Sequence, residues 1–203
     1  MNVSSGLVGR IVSVLVLAVL LAGCAGGIPR VAYTEADQMG ATVVGMPADI
    51  RAWADAPAEA FLPGLRDISR YAEARGSGPK LLALSGGADD GAYGAGFLVG
   101  WSERGDRPEF ALVSGISTGA LIAPFAFLGP AYDGPLREVF TQIDASNVFQ
   151  FVGLGGLFGP GLADTGPLRE MVAKHVTPSF LAEIAAEHRK GRRLIVVTTN
   201  LDA

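Results

Sequence analysis

Residues 80–91, KLLALSGGADDG, and residues 110–120, FALVSGISTGA, each run from a short apolar segment through a turn of small residues towards a helix-forming stretch. In the second, Phe110 to Ser114 reads as a buried strand, Gly115 to Gly119 as a GxSxG turn, and Ala120 onward as a helix, the context that such a turn requires. Ser117 then stands at the tip. Its backbone is bent sharply there, and the residues two places away come too close for side chains, which Gly115 and Gly119 satisfy. The amide of Thr118 opens the following helix, where its N–H and the helix dipole can face an oxyanion.

The first stretch supplies a complementary part. Lys80 to Leu84 reads as a strand, and Ser85 to Gly91 as a loop whose Gly86, Gly87, Ala88 and Gly91 leave backbone N–H groups uncovered before a helix over 92–101. Strand, helix, strand, helix implies a parallel sheet with right-handed crossovers, so both turns fall at the carboxyl ends of strands and can meet. Either motif alone is weak evidence; the two in order point to acyl transfer. A dinucleotide site fits less well, because a GxGxxG frame from Gly86 has Ala88 at its second glycine, and Asp89 and Asp90 would repel phosphate. A Ser-His-Asp triad would need His175 or His188, and both lie in charged helical contexts that read as surface.

The run SGGADDGAYGAGFLVGW followed by GISTGA resembles the front half of a patatin-like phospholipase domain, over about residues 80–203. The resemblance implies an α/β fold, three-layered, with a mostly parallel sheet flanked by helices. It implies a serine acyl hydrolase working through a Ser-Asp dyad without histidine, with no metal or organic cofactor. Ser117 is then the nucleophile, Gly86, Gly87, Ala88 and Thr118 the oxyanion hole, and a phospholipid or neutral acyl ester the substrate. Three departures stand out. Ala88 occupies the place of a usual third glycine and Asp90 that of a usual basic residue, where a carboxylate opposes developing negative charge. No Asp-Gly-Gly or Asp-Gly-Ala follows the serine at a distance; Asp133-Gly134-Pro135 comes too soon and reads as a turn. The chain is therefore expected to be truncated ahead of its general base, with Asp202 as the fallback. A catalytically inactive lipoprotein that binds lipid or a partner is the alternative.

At the other end, Arg10, the apolar run Ile11 to Ala22 and the small residues before Cys24 read as an export signal over 1–23. The run falls short of the ~20 residues that a spanning helix needs. It is similar to a bacterial lipoprotein signal, which makes Cys24 the lipidated first residue of the mature chain and places the protein in the cell envelope, held to a membrane. Cys24 is the one cysteine of the sequence, so no disulfide is expected. A net charge of -4 without any basic run argues against nucleic acid as a partner.

Residues 24–79 read as a tether and helical lead-in, with helices from Met46 through Trp53 and over Leu65 to Arg75, and with Trp53, Phe61 and Tyr71 packed on the sheet, a lipid-facing aromatic set being the other reading. Pro124 is expected to kink or end the helix after Ser117, and Leu136 to Ile143 reads as another helix. Residues 148–163, VFQFVGLGGLFGPGLA, hold too many glycines for a long helix and read as a buried loop, with a mobile flap as the other reading. A helix to His175 with Pro167 in its first turn, a second capped by Ser179 and running to Lys190, and a final strand from Arg193 complete the expectation.

Overall fold

The computed structural model describes residues 32–43, 45–47, 50–142, 150–151, 163–164 and 166–199. In chain order its elements are α1 (Glu35–Gly40), α2 (Leu62–Glu73), β1 (Leu81–Leu84), α3 (Gly91–Arg104), β2 (Leu112–Ile116), α4 (Thr118–Leu128), α5 (Asp133–Gln142), β3 (Gln150–Phe151), β4 (Ala163–Asp164), α6 (Gly166–His175), α7 (Pro178–Arg189) and β5 (Arg193–Val197). The expected signal with Cys24, most of 148–163, and Asp202 lie outside the described residues.

Parallel strands in the order β1-β2-β5 form the central sheet. Register aligns Leu82 with Val113 and Val113 with Leu194, and carries β2 out to Ile116 opposite Val197. Alternate residues face opposite ways. Leu82, Leu84, Val113 and Leu194 therefore meet the main core, built with Leu98 from α3, Phe127 from α4, Leu136 from α5 and Phe180 from α7. Both crossovers lie on this one face, as right-handed connections stepping in one direction require. Each fully buried large side chain there, such as Phe127, Leu98 and Leu136, contributes about 1.5–3 kcal/mol. On the opposite face α2 covers only the start of the strands, where Ile68 and Tyr71 pack on Ala111 and Leu112. The expected α/β sheet flanked by helices is thus the fold observed.

Several local readings need correction. The nucleophile strand spans Leu112–Ile116, not 110–114, because pairing with β5 holds Gly115 and Ile116 extended; the following helix starts at Thr118. Pro124 does not end that helix, which runs on to Leu128. Its ring removes one backbone bond, but Ile122, Ala123, Phe125, Ala126 and Phe127 are all buried around it, and that packing holds the helix together. Asp133-Gly134-Pro135 is the first turn of α5 and not a loop; a first-turn proline sacrifices no intrahelical bond. Arg51 to Trp53 are not helical, and the lead-in helix is instead α1, closed by a capping box between Thr34 and Asp37. Of the three lead-in aromatics only Tyr71 packs on the sheet; Phe61 is exposed and Trp53 half-buried, with Arg51 over its ring. The cap of α7 is Thr177, whose Oγ1 accepts from the Phe180 amide at 3.2 Å, while the Ser179 hydroxyl lies 2.9 Å from that same Oγ1.

Two buried arginines lock the sheet to its helices. Arg192 donates from Nε to Phe110 O at 2.8 Å, from one terminal nitrogen to Phe127 O at 2.6 Å and from the other to Glu187 at 2.9 Å. Arg107 pairs with Asp133 at 2.8 Å and donates to Ala126 O at 3.1 Å, joining the turn before β2 to α5 and the end of α4.

Candidate active site

Ser117 follows directly on β2 with φ 53° and ψ −124°, a conformation rarely taken by a residue with a side chain. Such a backbone costs of order 1–3 kcal/mol and persists because the surroundings over-determine it. The surroundings are the glycines. A Cβ on Gly115 would stand 2.1 Å from Gly119 O, and one on Gly119 would stand 2.4 Å from Leu84 O. The elbow is therefore pressed against its own helix on one side and against the end of β1 on the other. Ser117 itself is exposed, so its hydroxyl is presented to solvent and not spent inside the fold.

The glycine loop lies against this serine. A Cβ on Gly86 would be 2.8 Å from Ser117 Cβ and 3.4 Å from its Oγ, so only a residue without a side chain fits there. Ala88, one residue past Gly87, takes φ 48°, a left-handed conformation that glycine adopts without cost. The Thr118 hydroxyl donates to Ala88 O at 2.9 Å and fastens loop to elbow. Nothing in the sequence singled out that side chain, since its amide alone enters the motif. Gly91 closes the join: a Cβ there would come within 1.9 Å of Thr118 Cγ2. The N-termini of α3 and α4 thus touch, which brings the positive ends of two helix dipoles together beside Ser117. That arrangement favours an anion, which is what forms when a hydroxyl adds to an ester carbonyl.

Asp90 sits at the start of α3, exposed and without a capping hydrogen bond. The two histidines are elsewhere. His188 lies in the approach to β5, at the opposite end of the sheet from Ser117. His175 is half-buried, not on the surface as expected, and stands edge-on to Phe125, about 12 Å along α4 from the serine. Among the described residues no three His, Cys, Asp or Glu side chains converge to hold a metal, and no helix is long and apolar enough to cross a membrane. The carboxyl end of β5 lies beside the elbow. Val197 pairs with Ile116, so the chain leaves β5 one strand spacing, about 4.8 Å, from the residue before the nucleophile.

A family model for patatin-like phospholipases matches residues 82–202, more than half of the chain. The chain belongs to the patatin-like phospholipase family. The matched span starts within β1 and takes in both turns, α3 to α7 and β5. Membership in the patatin-like phospholipases makes lipid acyl hydrolysis the family activity. No curated protein and no solved structure matches the chain significantly.

Proposed function

We propose that this protein is a serine lipid acyl hydrolase, held at a membrane of the cell envelope through a lipidated Cys24. The observation that carries the reading is the exposed Ser117 on a positive-φ backbone with Gly86 against it and Ala88 bound by Thr118. In the reaction an aspartate takes the Ser117 proton and Oγ forms a bond to the acyl carbon, while amides of Gly87, Ala88 and Thr118 hold the resulting oxyanion. Collapse breaks the ester bond and the alcohol leaves with the proton from the aspartate. Water then adds to the acyl carbon as the aspartate takes its proton, and the Oγ–acyl bond breaks as that proton returns to Ser117 and the fatty acid departs. Asp202 is the candidate base, five residues past Val197, which ends β5 beside the elbow.

A fluorophosphonate probe tests the nucleophile. Wild type is expected to be labelled at Ser117 and Ser117→Ala to remain unlabelled; equal labelling of both would remove the serine from this role. Asp202→Asn is expected to slow labelling strongly while leaving the melting temperature in place. No change in its labelling rate would send the search for the base elsewhere.

A further inference from the structure

We propose that the uncharged outer face of α3, carried by Tyr93 and Phe97, docks on a zwitterionic or uncharged lipid surface and sets the edge of that surface against Ser117. The proposal rests on the acyl-hydrolase reading of the site. Ala95, Leu98 and Val99 turn one side of α3 into the core. The other side exposes Ala92, Tyr93, Gly96, Phe97 and Gly100, a stripe about 12 Å long at helical spacing. Tyr93 is 80% exposed and Phe97 57%. A solvent-facing helix side ordinarily carries charge, and this one carries none before Glu103. Exposed apolar area of this kind marks a surface that meets something.

Phe97 is also held in place. Trp101 stands edge-on to it at 5.7 Å and Phe110 edge-on to Trp101 at 5.9 Å, so a row of rings links exposed Phe97 through half-buried Trp101 to buried Phe110. The stripe starts at the end of α3 that adjoins the site, because α3 begins at Gly91 in contact with Thr118, and Tyr93 lies two residues further on, on the outer side of the helix. An acyl ester reaching Ser117 from an aggregate brings neighbouring lipid to these rings. Charge selects the surface. The stripe offers no lysine or arginine to an anionic headgroup, Asp89 and Asp90 flank its start, and the chain carries a net charge of -4. Aromatic rings with a polar tip, such as Tyr93, suit the boundary between headgroups and acyl chains.

The test uses the full chain with phosphatidylcholine vesicles whose acyl chains are brominated, and Tyr93→Trp as a local reporter. The emission added over wild type is expected to be quenched on brominated vesicles and not on plain ones. Vesicle-bound protein whose added emission escapes quenching overturns the proposal. Partial replacement of phosphatidylcholine by phosphatidylglycerol is expected to weaken the quenching; stronger quenching would refute the choice of surface. In turnover, Phe97→Ser is expected to lower the ratio of vesicle hydrolysis to hydrolysis of a soluble short-chain ester by about tenfold, and an unchanged ratio counts against docking. Should wild type leave the soluble ester intact and Ser117 unlabelled, the hydrolase reading falls, while quenching still decides the docking. A lipid-free dimer that Phe97→Ser dissolves would assign the stripe to a second copy of the chain and overturn the lipid assignment.

Discussion

Replacing Ser117 with glycine should yield a more stable protein than replacing it with alanine, although both lose the hydroxyl. At φ 53° and ψ −124° any residue with a Cβ is strained, by of order 1–3 kcal/mol, and alanine keeps that strain. Glycine releases it but frees the unfolded chain, at a cost of about 0.5–1 kcal/mol. The side chain contributes little else, since Ser117 is exposed and makes no capping bond to α4. The net difference is about 1 kcal/mol in favour of glycine, which for a chain of this size raises the melting temperature by about 2–4 °C. Calorimetry of the two variants side by side reads this directly, and both should be silent to a fluorophosphonate. A Ser117→Gly variant that melts at or below Ser117→Ala would show that the elbow stores no strain, and with it would go the argument that the fold holds this hydroxyl ready at a cost to its own stability.

The remaining expectations follow from the same contacts. Thr118→Val removes the 2.9 Å bond to Ala88 O and should cost about 1 kcal/mol, at the low end because Ala88 is exposed and water can replace the donor; its signature is slower serine labelling out of proportion to the small loss in melting temperature. Ala88→Gly should gain about 1 kcal/mol by removing a Cβ from a left-handed position, and a lower melting temperature would contradict the assigned φ. Arg192→Ala should destabilise by about 3–5 kcal/mol, since it strips two backbone carbonyls and Glu187 of a buried partner; chemical denaturation showing under 1 kcal/mol would mean that water fills the site without penalty. Burial, then the hydrogen bond to Glu109, pushes the Tyr71 hydroxyl up to about 12. A pKa raised on folding contributes stability that is complete below the unfolded value near 10 and is lost as pH rises towards 12, so wild type should weaken across that window and Tyr71→Phe should show a flatter profile.

Much of the site was legible because its demands are local. A GxSxG turn after an apolar strand needs glycine wherever backbone meets backbone, and Gly115 and Gly119 sit within 2.1 Å and 2.4 Å of such contacts once a Cβ is imagined on them. Gly86, Gly87 and Gly91 were legible for a similar reason, as small residues where a loop passes close to something. The lead-in helix at Met46, the cap at Ser179 and the turn at Asp133 were misread where several residues offered the same local signal, and packing or the neighbouring turn chose between them. His175 looked like a surface residue beside Lys174, yet the approach of α6 to α4 puts it against Phe125.

Composition and pattern by themselves determined a strand, a bend and a helix repeated twice, and therefore a parallel sheet with a hydroxyl at the end of one strand, because periodicity and glycine placement act over a few residues. Only the tertiary structure decided that Thr118 fastens one turn to the other, that Arg192 is buried among Phe110, Phe127 and Glu187, and that β5 delivers its end beside Ile116. Apart from Arg192 and Glu187, five positions apart, those pairings join residues from 30 to 82 positions apart. Distance along the chain leaves no local trace of them, and they exist only once the hydrophobic core has brought the strands and helices into register.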